Sequence, residues 1–267
     1  MSAPLRSLRA VADEPEGHGE TAAPRFRPLR RGSKFAETIA QAIVRGISST
    51  GMQAGAQLPA EALMIEEYGV GRASVREALR ILEVLGLISI KAGPGGGPVV
   101  SAVSTRDFGR IATLYFQVGG MTYREIIEAR MIMEPTLAAL AASRRDDDPQ
   151  VLEELLLAAE ATETGDDHRY LQSSADFHRL VAKMAGNRIL YLFSHSLEDI
   201  LHDRVTGLLF PLEQRGEVVE AHRGVAQAIV RGQASRARQL MLAHMERYAH
   251  FLAERHPALM DEVVDWR

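Results

Sequence analysis

The sequence predicts a mostly α-helical protein in two parts: an N-terminal winged helix-turn-helix (three helices plus a β-hairpin wing) followed by an all-α antiparallel helical bundle. Three observations carry this expectation. Between residues 58 and 87, two short helical patterns flank a glycine-bearing turn and run on into alternating, glycine-punctuated sequence. From residue 107 onward, apolar residues recur at three- and four-residue steps in segments separated by turn signals. Aromatic residues make up 6% of the chain while Ala, Leu, Arg and Glu dominate, a composition suited to packed helices more than to a sandwich or barrel.

The 267 residues suffice for a small domain followed by a larger one. Cysteine is absent, which excludes a disulfide framework and thiolate metal sites. No apolar run of about eighteen residues offers a membrane span, and the opening MSAPLRSLRAVADEPEGHGE lacks the apolar core of a secretion signal. A soluble, cytoplasmic protein without a membrane partner is expected. The net charge of -4 divides unevenly: residues 1–34 carry seven basic against four acidic side chains, residues 35–105 five against six, and residues 106–267 nineteen against twenty-five. A nucleic-acid role therefore has to rest on motif and geometry, because the N-terminal domain has no bulk positive field.

Residues 1–33, rich in Pro, Gly, Arg and Glu without periodicity, are expected to form a disordered tail. Arg25, Arg27, Arg30 and Arg31 fit either a solvated tail or an arm on the DNA backbone. The winged helix-turn-helix is placed at 34–101. Its first helix runs to about Ser49 with Ser33 as N-cap, and Phe35, Ile39, Ala42, Ile43 and Ile47 form its apolar stripe. The next two helices meet at Tyr68-Gly69-Val70-Gly71, where two glycines are expected to supply the positive φ or close approach of a sharp reversal. Beyond the turn, Val75, Ala78, Leu79, Leu82 and Leu85 make one buried stripe. Arg72 and Arg76 share the opposite face, with Ser74 between them, near a helix start whose dipole also favours phosphate. A recognition helix presents its donors in this way. Leu87-Ile88-Ser89-Ile90 alternates as a strand, the run from Gly93 to Pro98 turns, and Val99-Val100 returns, with Lys91 and Gly96 as the DNA-facing residues of the wing. The GPGGGP run lacks the Lys and Ser/Thr of a phosphate-cradling loop, which argues against nucleotide binding.

Residues 102–106 are expected as a linker, 107–255 as the bundle and 256–267 as a C-terminal tail. The bundle helices are placed at 107–118, 122–143, 149–164, 167–185, 188–209, 213–231 and 234–255. Their separators are Gly119-Gly120, the aspartate run ending at Pro149, Gly165, Gly186-Asn187, Phe210-Pro211 and Gly232. His178 lies mid-helix, while His222 and His244 lie on the last two long helices. Facing helices can point all three inward, and neutral imidazoles on a rigid bundle suit a divalent ion of the Zn, Ni or Mn type with a position left for a ligand oxygen. Nine histidines in a helical chain also bring three to inward faces by accident, so spacing alone leaves a metal site and ordinary core histidines both open. His195 and His202 read as packing or surface residues, and Met131 and Met133 as core filling.

Two sets of residues carry a family resemblance. GxxLPxE from Gly55 to Glu61, followed by GVxRxxVREALRxLExxGL from Gly69 to Leu87, resembles the signature of GntR-family transcription regulators. Glu128, Arg130 and Glu134-Pro135, then Phe177-His178 with Gly186-Asn187, then His222-Arg223 and Ala243-His244-Met245 resemble the landmarks of the FCD effector domain in the FadR branch of that family. The likeness covers about residues 34–255. It implies a homodimeric, ligand-responsive regulator of double-stranded operator DNA, with repression relieved by ligand as the expected sign, and no catalytic activity. It also implies a pocket for a small organic acid in which His178, His222 and His244 hold a divalent metal. Arg130 would meet the ligand carboxylate, with Arg204 and Asn187 nearby. A guanidinium is a natural bidentate partner for a carboxylate, although a salt bridge from Arg130 to Glu134 or Glu128 fits its spacing too.

The departures are specific. Ala62 and Ala73 stand where FadR-type members often carry an arginine and a Thr or Ser that approach DNA. Ser174 stands where metal-binding members carry an aspartate, and Asp176, two residues before His178, falls on a different side of the helix. Water or ligand would then complete the coordination. Two alternatives stay open at this point: a metal-free acyl-chain or acyl-CoA sensor of the same family, and a three-histidine metal-dependent hydrolase, for which no base is paired at a telling spacing.

Overall fold

The computed structural model describes residues 35–93, 95–145, 149–161, 167–205, 208 and 212–266. The expected tail with Ser33 and its arginines, the aspartates at 146–148, Gly165 and Phe210-Pro211 lie outside the described residues. The chain forms two compact units, one ending at Leu82 and resuming over Ser89–Val100, the other comprising Glu83–Ile88 and everything from Ser101 onward.

The first unit holds α1 (Phe35–Thr50), α2 (Glu61–Tyr68), α3 (Arg72–Val84), β1 (Ile88–Lys91) and β2 (Gly97–Val100). Apolar residues at three- and four-residue steps give each helix one stripe, and the stripes meet: Ile39 and Ile43, Met64 and Tyr68, and Val75, Ala78, Leu79 and Leu82 are all buried. Each large side chain withdrawn from water in this way contributes about 1.5–3 kcal/mol before entropy is counted. Two expected stripe members differ. Phe35, at the first position of α1, and Leu85, one residue past the end of α3, are exposed, each standing at the margin of its helix beyond the packed turns. A single glycine makes the reversal between α2 and α3: Gly69 takes the left-handed conformation at φ 64° and returns its N–H to the carbonyl of Ile65, whereas Gly71 does not have a positive φ.

β1 and β2 pair as the wing hairpin. The segment before α2 joins them, with Gln57 bridging Val99 in antiparallel sense, the Gly55 N–H donating to Val100 O at 2.8 Å and the Leu58 N–H to Pro98 O at 2.9 Å. The first half of the GxxLPxE motif is therefore a strand-like partner of the wing.

The second unit holds α4 (Thr105–Val118), α5 (Tyr123–Ser143), α6 (Pro149–Ala161), α7 (Asp167–Met184), α8 (Arg188–Val205), α9 (Leu212–Val230), α10 (Ala234–Arg255) and α11 (Pro257–Met260). Ser104 accepts the Asp107 N–H at 3.1 Å, which starts α4 inside the expected linker. A capping box of Thr122 and Glu125 starts α5. This helix is central: it packs on α7, α8, α9 and α10, and its Ala138, Ala141 and Ala142 are fully buried, so small side chains let neighbours approach closely. Phe177, Val181, Val225, Ile229, Met241 and Met245 complete that core. No described helix is long and apolar enough to cross a membrane.

Residues 256–266 are not a free tail. Leu259, Met260 and Val264 are buried with Tyr123, Ile126, Leu201 and Leu252, and the Val264 N–H donates to Met121 O at 2.9 Å while Tyr123 donates to Glu262 O at 3.1 Å. A four-residue helix and one isolated bridge between Thr122 and Val263 have no period that the sequence could display.

Candidate functional site

In the first unit, the opening turns of α3 present Arg72 and Arg76 to solvent, with Ser74 half-buried between them. Arg72 has no side-chain partner among the described residues. Arg76 donates from Nε to Glu61 Oε2 at 2.9 Å, so α2 holds the guanidinium in one orientation. Such an exposed pair adds at most about 1 kcal/mol of stability, and its consequence is placement. Lys91 is exposed at the end of β1. Gly96 sits where an added Cβ would lie 2.2 Å from Lys91 O, so the wing turn closes only with a glycine there. The Gln57 side-chain amide donates to Gly95 O at 3.1 Å and to Gly96 O at 3.2 Å, tying the wing tip to the GxxLPxE segment. Neither positioning role was read from the sequence: Glu61 is a fixed residue of that motif and Gln57 one of its variable positions.

In the second unit, α7, α9 and α10 bring His178, His222 and His244 into one buried cluster. Nε2 of His244 stands 3.2 Å from Nε2 of His222 and 3.3 Å from Nε2 of His178. The His222 ring stacks on Phe177 with centroids 3.9 Å apart, which fixes its plane. Glu134 of α5 places Oε2 3.1 Å from His178 Nδ1. That contact assigns the proton to Nδ1 and leaves the Nε2 lone pair facing the other two rings. The far oxygen of Glu134 accepts from Arg130 Nη2 at 3.0 Å, and the same Nη2 lies 3.4 Å from Glu198 Oε1 of α8. Both Arg130 and Glu134 are buried, so the helix-surface spacing of four residues here describes an interior ion pair.

The electrostatics follow from this enclosure. Burial, reinforced by the neighbouring imidazoles, lowers the pKa of His222 well below its ordinary value, and burial does the same to His244. Burial works against the Glu134 carboxylate too, but His178 and Arg130 outweigh it and hold its pKa at about 2. For Glu198 burial prevails over Arg130 and His178 and pushes the carboxyl up to about 7. Arg130 is firmly cationic, since Glu198 and Glu134 overcome the burial penalty.

These residues fit a divalent cation. Three imidazoles converge with their ligand atoms within 4.8 Å of one another, and nitrogens about 2.0–2.1 Å from a tetrahedral ion stand about 3.3 Å apart. A hydrogen-bonded cluster alone accounts for them less well, because one shared proton cannot serve three converging acceptors.

A cleft of about 540 Å3, open solvent included, adjoins the cluster and is lined by Arg130, Ser174, His178, Glu198, His244 and Tyr248 among others. Ser174 thus shares the His178 face, while Asp176 pairs with Arg179 at 2.9 Å outside the cleft. His202, expected as packing or surface, lines the cleft; His195 lies against Tyr191 with Asp199 at 3.8 Å. Two expected ligand contacts stand elsewhere. Arg204 donates to Glu262 and lines a separate hollow with Asp203, Asp265 and Trp266. Asn187 caps α8, its Oδ1 accepting the N–H groups of Ile189 and Leu190 at 3.1 Å each. Glu198, Tyr170 and Tyr248 belong to the site without having been singled out in the sequence, whereas Glu134 was marked as a landmark of the resemblance and by its spacing from Arg130.

A winged helix with outward arginines, joined to a helical domain built around a buried polar cleft, defines a DNA-binding transcription regulator with a sensor domain. Residues 35–97 match the bacterial regulatory proteins of the gntR family and residues 125–247 match the FCD domain, and the chain belongs to the GntR family. The HTH-type transcriptional repressor NanR of Enterobacter sp. (strain 638) is 30% identical over 184 residues, covering 66% of this chain and 68% of NanR. The HTH-type transcriptional regulator YcbG of Bacillus subtilis (strain 168) is 28% identical over 212 residues, covering 79% of this chain and 87% of YcbG. The solved structure of Streptococcus agalactiae GntR aligns at a TM-score of 0.63 and 26% identity over 80% of this chain and 99% of that one. The chain is a DNA-binding transcription regulator with an effector domain, not an enzyme, which sets the hydrolase alternative aside.

Proposed function

We propose that the chain is a homodimeric repressor whose affinity for operator DNA is set by a small carboxylate bound beside a divalent metal in the FCD domain. The observation that carries this is the convergence of three buried imidazoles, with His244 Nε2 3.2 Å and 3.3 Å from the Nε2 atoms of His222 and His178, next to a cleft lined by the Arg130 guanidinium. His178, His222 and His244 would hold the ion, which would supply Lewis-acid coordination for a ligand oxygen. Glu134 fixes the tautomer of His178, and Arg130 is placed to pair with the carboxylate. Ser174 contributes no anionic oxygen, so the effector supplies one. Arg72, Ser74, Arg76, Lys91 and Gly96 are the operator contacts in this proposal, and ligand binding shifts the population of dimer arrangements that present them. Repression is carried over from the resemblance to NanR, a transcriptional repressor, and relief by ligand is the sign proposed for the carboxylate site.

Elemental analysis of the purified protein tests the centre of the proposal. One divalent ion per chain is expected, lost in His222→Ala; a metal-free native protein that still responds to effectors would overturn the metal and favour the acyl-chain alternative. Arg130→Ala is expected to abolish the response to organic acids in an operator-binding assay while leaving DNA affinity intact.

A further inference from the structure

The polar cleft does not end at the histidines. Tyr170, Val218, His244 and Tyr248 line both that cleft and a second hollow of about 830 Å3, open solvent included, which Phe251 also lines. Helix periodicity explains the continuity. On α7, Tyr170, Ser174 and His178 stand four residues apart; on α9, Val218 precedes His222 by four; on α10, Tyr248 and Phe251 follow His244 by four and seven. Each helix therefore presents one stripe with its histidine at one end and apolar or aromatic side chains at the other. At 1.5 Å per residue the stripes extend about 12 Å from His178 to Tyr170 and about 10 Å from His244 to Phe251.

The chemistry changes along that distance. Near the histidines the wall carries Arg130, Glu198 and Ser174, whereas farther on it carries Tyr170, Val218, Tyr248 and Phe251, with Glu217, Arg247, His250 and Glu254 around the opening. Tyr170 is buried and packs with Val218, Tyr248 and Phe251, so the second hollow is bounded by a preformed apolar cluster that a short hydrophilic acid would not reach. Rings prefer offset and edge-on contacts with other rings, and three of the four wall side chains are aromatic.

We propose that the effector is an arylalkanoate, its carboxylate at the histidine and Arg130 end and its ring in the channel among Tyr170, Val218, Tyr248 and Phe251. This rests on the carboxylate site proposed above. A carboxylate on a two-carbon spacer carrying a phenyl ring spans the available length.

Calorimetric titration of the zinc-loaded full-length protein with 3-phenylpropanoate and with propanoate separates the two parts, because the acids share a head and differ by the ring. Wild type is expected to bind 3-phenylpropanoate at least about tenfold more tightly than propanoate. Phe251→Ala should cut that preference about fivefold with propanoate unaffected, and Val218→Trp, which obstructs the channel, should remove it. Arg130→Ala should weaken both acids. Equal affinities in wild type, or a preference that survives both channel variants with folding verified by circular dichroism, overturn the channel while leaving the acid-and-metal site in place. If neither acid binds, both proposals fall.

Discussion

At the scale of single residues, the histidine cluster makes stability depend on pH in a direction that can be worked out. His222 and His244 have folded pKa values well below the ordinary 6.5. Below about pH 6.5 the unfolded chain takes up protons that the folded chain refuses, so each histidine costs about 1.4 kcal/mol per pH unit as pH falls. Glu198 has the opposite sign: raised to about 7 from 4.5, it holds a proton in the folded state that the unfolded state lacks, and it gains stability over the same fall. Two histidines against one carboxyl leave a net loss as pH falls below 6.5, up to about 1.4 kcal/mol per unit while both imidazoles stay unprotonated in the folded chain. Below 4.5 Glu134, held at about 2, adds its own loss as it protonates. Urea unfolding of chelator-treated protein from pH 7.5 to 5 should show this decline, and His222→Phe should flatten it; a flat wild-type profile sinks the account. The residue types of this site were legible in the sequence, but their partnership was not. His178, His222 and His244 sit on three helices, and whether those helices face one another is decided by packing that no local period records. The spacing of Arg130 and Glu134 was legible as a pair, but its burial and its third member, Glu198 on α8, were not, because α5 is apolar around most of its circumference and hides its inward face.

At the scale of elements, α2 and the wing act as the mount for the reading helix. Glu61→Ala releases Arg76 from its 2.9 Å tether without touching the core, so the fold is expected to hold while operator affinity drops about threefold to tenfold, the equivalent of roughly 1 kcal/mol. If the effect passes through Arg76, Glu61→Ala in an Arg76→Ala background should cost nothing further. Fluorescence anisotropy on operator DNA measures both, and an additive double variant would remove Glu61 from the reading apparatus. Most helices were legible because stripes of Ile, Leu and Ala end at glycines or begin at a capping residue such as Thr122, whereas the cap at Ser104 was hidden in the expected linker. The wing was legible from GPGGGP, but its third partner was not, since Gly55 to Leu58 is too short and too polar to alternate. The segment from Pro257 to Val264 escaped for a related reason: its burial comes from Tyr123, Leu201 and Leu252, all remote in sequence.

At the scale of the whole molecule, a chain of net charge -4, whose residues 35–105 hold five basic and six acidic side chains, has little long-range attraction for DNA. Affinity must come from a few short-range contacts, and doubling them is the simplest way to reach useful binding. If Arg72, Arg76 and Lys91 each neutralise one phosphate, a single chain releases about three counterions and a dimer on two half-sites about six. The logarithm of the binding constant then falls against the logarithm of salt with a slope of about -2.7 for one chain and about -5.4 for two. Arg76→Ala, which removes one cation from each half, should bring the dimer slope to about -3.6 while weakening binding on every sequence. Light scattering supplies the independent check, with twice the chain mass of 29.3 kDa expected in solution. A slope near -2.7 together with a monomeric mass would overturn the dimeric half of the proposed function, leaving the sensor site to act on a single winged helix.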